Sequence, residues 1–312
     1  MKKLINENVI AWLLLGDISI RFQTQRDLRS NFRQDLQERI ETEGWGLKYL
    51  SLQNRDGHWG RKFYQPKWTS THYTLLDLKN LGVSPNNAQI RKTICMLLAE
   101  EKGEDGGINP SKAIKNSDVC LNGMFLNYAS YFNSEEAQLQ SVVDFILAQI
   151  SADGGFNCRF NSIGAQHSSL HSTLSVLEGI LEFTMNGYKY RASELKKAES
   201  SGREFILKHR LYISDQTNEI INRNFLKLTY PSRWKYDILK ALDYFRLSGF
   251  PFDARMQPAI EVLLKKRKNN HFWLMQAKHP GATHFEMEET GKPSRWNTLR
   301  ALRVLKHFKV NI

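Results

Sequence analysis

An Asp-Gly step recurs along this chain at Asp56-Gly57, Asp105-Gly106 and Asp153-Gly154, roughly 48 residues apart, a period that marks stacked helical hairpins. Each step closes an apolar-periodic segment and opens a loop that leads into a second one. The preceding segments span approximately 36–53, 86–100, 135–150, 192–209 and 254–267. Val142, Val143, Ile146 and Leu147 show their spacing, that of a helix with one buried stripe. The following segments begin near Thr69, Asp118, Ser169, Arg233 and Arg295 and are richer in small and apolar residues, as in Leu170 to Gly179. A helix that is less polar around its circumference is a buried one. Each repeat therefore reads as an outer amphipathic helix, a glycine turn and an inner buried helix.

The last two repeats are longer, but they carry matching inner-helix starts, Pro231-Ser232-Arg233-Trp234 and Pro293-Ser294-Arg295-Trp296. Asn6 to Arg29 adds one more hairpin, with Asp17 placed to cap its second helix. Six hairpins suffice to close a ring. The expected fold is all-α: an α/α toroid with inner and outer helix rings. It is read as one domain over 1–312, with repeats at 6–35, 36–85, 86–134, 135–190, 191–250 and 251–312. An open solenoid needs polar capping repeats, and a start reading Trp12-Leu13-Leu14-Leu15 is not polar.

The net charge of +12 favours anionic partners. No nucleic-acid motif accompanies it, and its densest run, Lys265 to Lys268, closes a helix whose C-terminal dipole it complements. The expectation is an anionic-headed small molecule rather than nucleic acid. Cys95, Cys120 and Cys158 make no disulfide framework, so a reduced, cytoplasmic setting is expected. The apolar stretch Val9 to Leu15 is too short to span a bilayer and carries no small-residue cleavage site, which reads as a soluble, unprocessed chain.

The string Gln53, Asp56-Gly57, Trp59-Gly60 and its weaker version from Gln149 to Phe156 resemble the repeat signature of squalene-hopene cyclases and protein prenyltransferase β subunits. The resemblance covers roughly 36–308 and implies an architectural role for Gln53, Asp56 and Trp59. The acid motif Asp-x-Asp-Asp of the cyclases and the Asp-Asp-x-x-Asp cluster of magnesium-dependent terpene enzymes are both absent from the sequence. The prenyltransferase comparison extends further. It places His72, Cys120, His171, Trp234 and Trp296 at equivalent positions near inner-helix starts. The family binds catalytic zinc through an Asp-x-Cys pair and a His one repeat later, which implies Asp118, Cys120 and His171 here. Its diphosphate-holding basic residues correspond to Lys112 and Lys115, and a further diphosphate-contacting His corresponds to His72. Trp68, Tyr73, Phe125, Trp234 and Trp296 are candidate cavity aromatics, with Trp234 and Trp296 taken as substrate-binding, although aromatics at helical spacing are core more often than ligand walls. Two departures stand out: Leu121 replaces the family's diphosphate-binding Tyr, and the chain encodes no helical-repeat α subunit as a partner.

In their own chemistry, a carboxylate, a thiolate and an imidazole are ordinary zinc ligands that leave a fourth position open. On a regular helix, residues two apart point about 200° apart, so Asp118 and Cys120 converge only if Asp118 caps the helix. A helix N-terminus with Lys112 and Lys115 attracts a diphosphate. The plainer readings stand beside these: Cys120 as a small buried hydrophobe, Asp118 as a cap only, His171 as a hydrogen-bonded core residue, the lysines as a solvated loop. The expected function is zinc-assisted prenyl transfer on an isoprenoid diphosphate. The alternatives are a non-catalytic isoprenoid- or lipid-binding toroid, and a carbohydrate-active toroid using Asp118 and Glu286 as paired carboxylates.

Overall fold

The computed structural model describes residues 5–111, 114–158 and 164–310. The protein is all-α: its helices alternate along the chain as hairpins, and the strand content among the described residues is two-residue pairings. In chain order the helices are α1 (Glu7–Leu14), α2 (Ile18–Gln23), α3 (Gln34–Arg39), α4 (Gly44–Ser51), α5 (Thr71–Leu81), α6 (Ala88–Glu100), α7 (Val119–Tyr131), α8 (Glu136–Ala148), α9 (Leu170–Met185), α10 (Ala192–Lys208), α11 (Ile238–Leu247), α12 (Gln257–Lys265) and α13 (Arg295–His307). No helix among the described residues is long and apolar enough to cross a membrane. Contacts group the chain into two compact units, one of residues 1–52, 80–84 and 209–312, the other of 53–79 and 85–208.

In the second unit, α7 and α9 are buried on nearly every side, whereas α8 buries only Leu139, Val142, Val143, Phe145 and Ile146. This is the inner and outer division that the apolar patterns predict, and it arises because a helix with one apolar stripe has one face to hide. The turns that precede the inner helices share one design. Gly57, Gly106 and Gly154 hold φ of 87°, 83° and 91°, which only glycine adopts freely. Two of the preceding aspartates tie their turn to the start of the next inner helix. Asp105 accepts from the Ser117 amide and hydroxyl, both at 2.7 Å, and Asp153 accepts from the Ser168 amide at 2.8 Å and from its hydroxyl. Gln53 donates to the Gly57 carbonyl at 2.8 Å and to Thr93 at 2.7 Å.

A second latch follows three residues after each aspartate. The amides of Trp59, Ile108 and Phe156 donate to Thr71, Asn122 and Thr173 at 3.0, 2.6 and 2.9 Å. The same side chains donate back to the carbonyls of those three residues. All three latch residues are fully buried, so their backbone groups would be unsatisfied without these partners. Gln53 and Trp59 are thus bound into the architecture, while Asp56 accepts from the His58 amide at 3.0 Å within its own turn.

The other unit starts with the hairpin α1–α2. Asp17 caps α2 by accepting from Ser19 and also holds the Trp45 amide of α4, each at 2.9 Å. Its later helices repeat the latch once more: the Trp273 amide donates to Thr298 of α13 at 3.0 Å. A two-residue antiparallel pairing of Trp273–Leu274 with Pro293–Ser294 sits beside it. Asp243 of α11, Arg303 of α13 and Asp27 form a buried ion chain, with Arg303 donating to Asp27 at 2.8 Å and bidentately to Asp243. Arg246 adds a 2.7 Å bond to Asp243. Burial alone would raise the Asp27 carboxyl, but Arg303 and Arg26 outweigh it and hold it down to about 2.

Candidate functional site: the starts of two inner helices

Asp118 takes the N-cap position of α7, as expected, yet its side chain makes no capping bond. The first turn of α7 instead spends an amide on sulfur: Cys120 N–H donates to Cys158 Sγ at 3.0 Å. Cys158 lies two residues beyond the latch residue Phe156, in the loop leading to α9. Ser172 in the first turn of α9 donates its hydroxyl to the same sulfur at 3.3 Å, and the Cys158 amide donates back to Ser172 at 3.2 Å. One sulfur thus sits at the start of two inner helices, where exposed amides and helix dipoles favour negative charge.

The two thiols divide their roles accordingly. The hydrogen bond from Cys120 draws the Cys158 thiol down from its ordinary value, helped by Ser172 and the Cys120 amide against the cost of burial. Cys120, as the donor and as a buried group, is pushed well above its ordinary value. Burial also raises the Asp118 carboxyl, with Lys67 opposing, although the residue keeps an exposed edge.

An aromatic row borders this group. The Tyr64 hydroxyl meets that of Tyr73 at 3.1 Å, and Tyr64 feels the charges of Cys120, Asp118 and Cys158, while burial pushes its phenol up. His72 lies among Phe63, Tyr64, Tyr73 and Tyr128, at ring separations between 4.8 and 5.7 Å. Its Nδ1 meets the Tyr128 hydroxyl at 3.2 Å, and its Nε2 has no hydrogen-bond partner. Complete burial drives the imidazole down to about 3, so it is neutral in any ordinary buffer. Lys67 stands 5.1 Å over the Trp68 ring.

Of the residues that the sequence singles out, Asp118, Cys120, His171 and His72 fall in this unit. His171 is the second residue of α9; its carbonyl accepts from Ser175 at 3.0 Å. Lys115 is exposed in the loop before Asp118, and Lys112 lies outside the described residues. Trp234 and Trp296 belong to the other unit. Trp296 is buried and stacked between Tyr230, at 4.4 Å, and Trp45, at 6.0 Å. Trp234 is half-buried beneath Lys235 and does not start a helix: α11 begins at Ile238, capped by Asp237. Glu286, the proposed partner of Asp118 in the carbohydrate reading, is exposed and paired with Lys278 in the other unit.

Asp118, Cys120 and His171 do not fit a zinc ion as a set. Among the described residues, no group of three or more His, Cys, Asp and Glu side chains is placed to hold a metal. What sequence reasoning missed is Cys158, with Ser172, Tyr64 and Lys67. Only the position of Cys158 just past a latch residue hinted that it faces an inner-helix start.

No family model and no curated protein sequence matches the chain. Among solved structures it is similar to a type II terpene cyclase variant from Scytonema in complex with merosterolic acid A, at 10% identity and a TM-score of 0.34. That likeness covers 84% of this chain and 94% of the cyclase. At such a score, fold and activity must be argued from this chain's own residues.

Proposed function

We propose that this protein handles an isoprenoid diphosphate, holding the charged head at the starts of α7 and α9 and the tail against the Tyr64 to Tyr128 aromatic row. The observation that supports this reading is the meeting of two inner-helix N-termini with Lys67 beside a row of buried aromatic rings. Such N-termini bind phosphate groups through amides and dipole together, and Lys115 adds positive charge in the adjoining loop. A prenyl chain gains by leaving water for an aromatic wall, at about 0.8 kcal/mol for each buried CH₂. Prenyl transfer is the reaction that this placement would serve, with His72 as a neutral neighbour of the tail rather than a cation on the head. No step is assigned to a metal, because the ligand set lacks the geometry.

Calorimetric titration with farnesyl diphosphate, farnesol and inorganic pyrophosphate tests the reading. The expected order is farnesyl diphosphate tightest, and Lys67→Ala weakens it by about tenfold, the worth of one charge-assisted hydrogen bond. Equal affinity for farnesol and farnesyl diphosphate would leave a lipid-binding protein without head-group recognition. Absence of binding for all three overturns the reading. Release of pyrophosphate from bound farnesyl diphosphate, with a thiol or alcohol acceptor present, distinguishes transfer from storage.

A further inference from the structure

We propose that Cys158 and Cys120 form a thiol–disulfide exchange pair, in which Cys158 is the attacking sulfur and Cys120 the resolving one. Three features of the geometry carry this. The sulfur of Cys158 lies 3.0 Å from the Cys120 amide and within hydrogen-bond reach of the Cys120 thiol, so the two side chains meet. Its donors are the Cys120 amide, the Cys120 thiol and the Ser172 hydroxyl, which together stabilise negative charge on that sulfur and on no other. Both residues are half-buried, so a small oxidant can reach the pair. Cys95 is exposed on α6 and belongs to no such arrangement among the described residues.

The co-reactant is a low-molecular-weight disulfide, RSSR. The Cys158 thiolate attacks one of its sulfurs; the bond from Cys158 to SR forms as the RS–SR bond breaks, and RS⁻ leaves with the proton that Cys158 gave up. Cys120 then loses its proton and attacks Cys158 Sγ. The Cys120–Cys158 bond forms, and the second RS⁻ leaves as RSH with that proton. Two protein thiols are oxidised and one disulfide is reduced to two thiols. The product bond would staple the start of α7 to the loop before α9, at the point where both helix N-termini are exposed. The chemistry stands whether or not those N-termini hold a diphosphate, so its failure and the failure of that binding are read separately.

The test uses the full chain, reduced, freed of reductant and exposed to oxidised glutathione, then acid-quenched, alkylated and mapped by mass spectrometry. The expected result is a linked pair of peptides containing Cys120 and Cys158, with Cys95 carrying at most a glutathione adduct. In Cys120→Ser the Cys158 adduct should persist, because nothing resolves it. In Cys158→Ser, modification of Cys120 should slow by about tenfold or more, since it loses the activated neighbour. The wild-type map decides the matter even if a variant folds poorly, and circular dichroism reports that case. A wild-type protein whose Cys158 stays a free thiol while Cys95 is glutathionylated overturns the proposal. So does a Cys158 adduct that never resolves, or near-stoichiometric zinc that either serine variant loses.

Discussion

Two pairs of inner helices, one in each unit, are held together by different means. In the 53–208 unit, α7 and α9 approach until backbone meets backbone. A Cβ added at Gly123 would lie 2.7 Å from the Ser175 carbonyl oxygen and from the Val176 backbone, and one at Gly179 would strike the Gly123 carbonyl. In the other unit, α11 and α13 are joined by charge: Asp243 receives Arg246 and Arg303, and Arg303 carries the chain on to Asp27. Close packing without charge leaves the α7 and α9 starts free to turn their amides toward a thiol or a ligand. The ion chain instead consumes every carboxylate it contains.

The largest effect expected is that of Asp243→Ala. Removing the carboxylate takes from Arg246 its 2.7 Å acceptor and leaves Arg303 with Asp27 alone of its two carboxylates, at a cost of about 3–5 kcal/mol measured by urea denaturation. A triple replacement by apolar residues of similar volume, Asp243→Leu with Arg246→Met and Arg303→Met, leaves Asp27 with Arg26 and should recover part of that loss. If it recovers nothing, the ion chain is worth more than its geometry and the comparison breaks.

Acid should act next, and on the 53–208 unit. Folded His72 titrates near 3, below the ordinary 6.5, so the unfolded chain takes up the proton first. Stability then falls by about 1.4 kcal/mol per pH unit below 6.5, reaching about 2–3 kcal/mol near pH 4.5. That window lies above the one set by Asp27, whose contribution is lost only as pH falls from the ordinary carboxylate value of 3.8 towards about 2. Denaturation of wild type and His72→Phe across pH 7.5 to 4.5 checks this, and an unchanged slope in the variant removes His72 as the cause.

Gly179→Ala should cost about 2 kcal/mol, the overpacking penalty less the gain in helix propensity. The same substitution at exposed Gly187, which has open space around it but a φ of 84°, separates backbone strain from clash. The smallest effect is that of the latch. Thr173→Val keeps the volume but leaves the Phe156 amide without its partner, which should cost about 1–2 kcal/mol. Thr298→Val probes the equivalent bond from Trp273 in the other unit, and similar losses would show that the latch is indifferent to what joins the helices.

Much of the hairpin order was legible in the sequence because its signals are local. Apolar spacing decides which helix face is buried, and an Asp-Gly pair decides where the chain turns, since the glycine alone tolerates the positive φ. Asp17 as a cap, the glycine turns and four of the five outer-helix segments follow from such short-range rules; the 36–53 segment breaks instead into α3 (Gln34–Arg39) and α4 (Gly44–Ser51), with a turn between them. The α7 start was also legible, but the use made of it was not. Asp118 arrives at the cap as expected, yet the partner of Cys120 is a cysteine 38 residues away rather than His171.

Two identical tetrapeptides mark the boundary between the two kinds of information. Pro293-Ser294-Arg295-Trp296 opens α13 directly, because Glu288 accepts from the Arg295 and Trp296 amides at 2.6 and 3.2 Å and Ser294 accepts from Asn297 at 2.9 Å. Pro231-Ser232-Arg233-Trp234 opens no helix. Ser232 bonds to Asp237 at 3.0 Å, Asp237 caps α11 through Lys240 at 2.8 Å, and the helix starts later. The sequence by itself determined an all-α chain of hairpins, their turns and their buried faces, since these depend on residues within a few positions of one another. Tertiary structure decided which carboxylate caps which helix, which thiol meets which, and which imidazole lies dry among aromatic rings. Those outcomes depend on groups brought together from distant positions, where a hydrogen bond forms only after packing has fixed both ends.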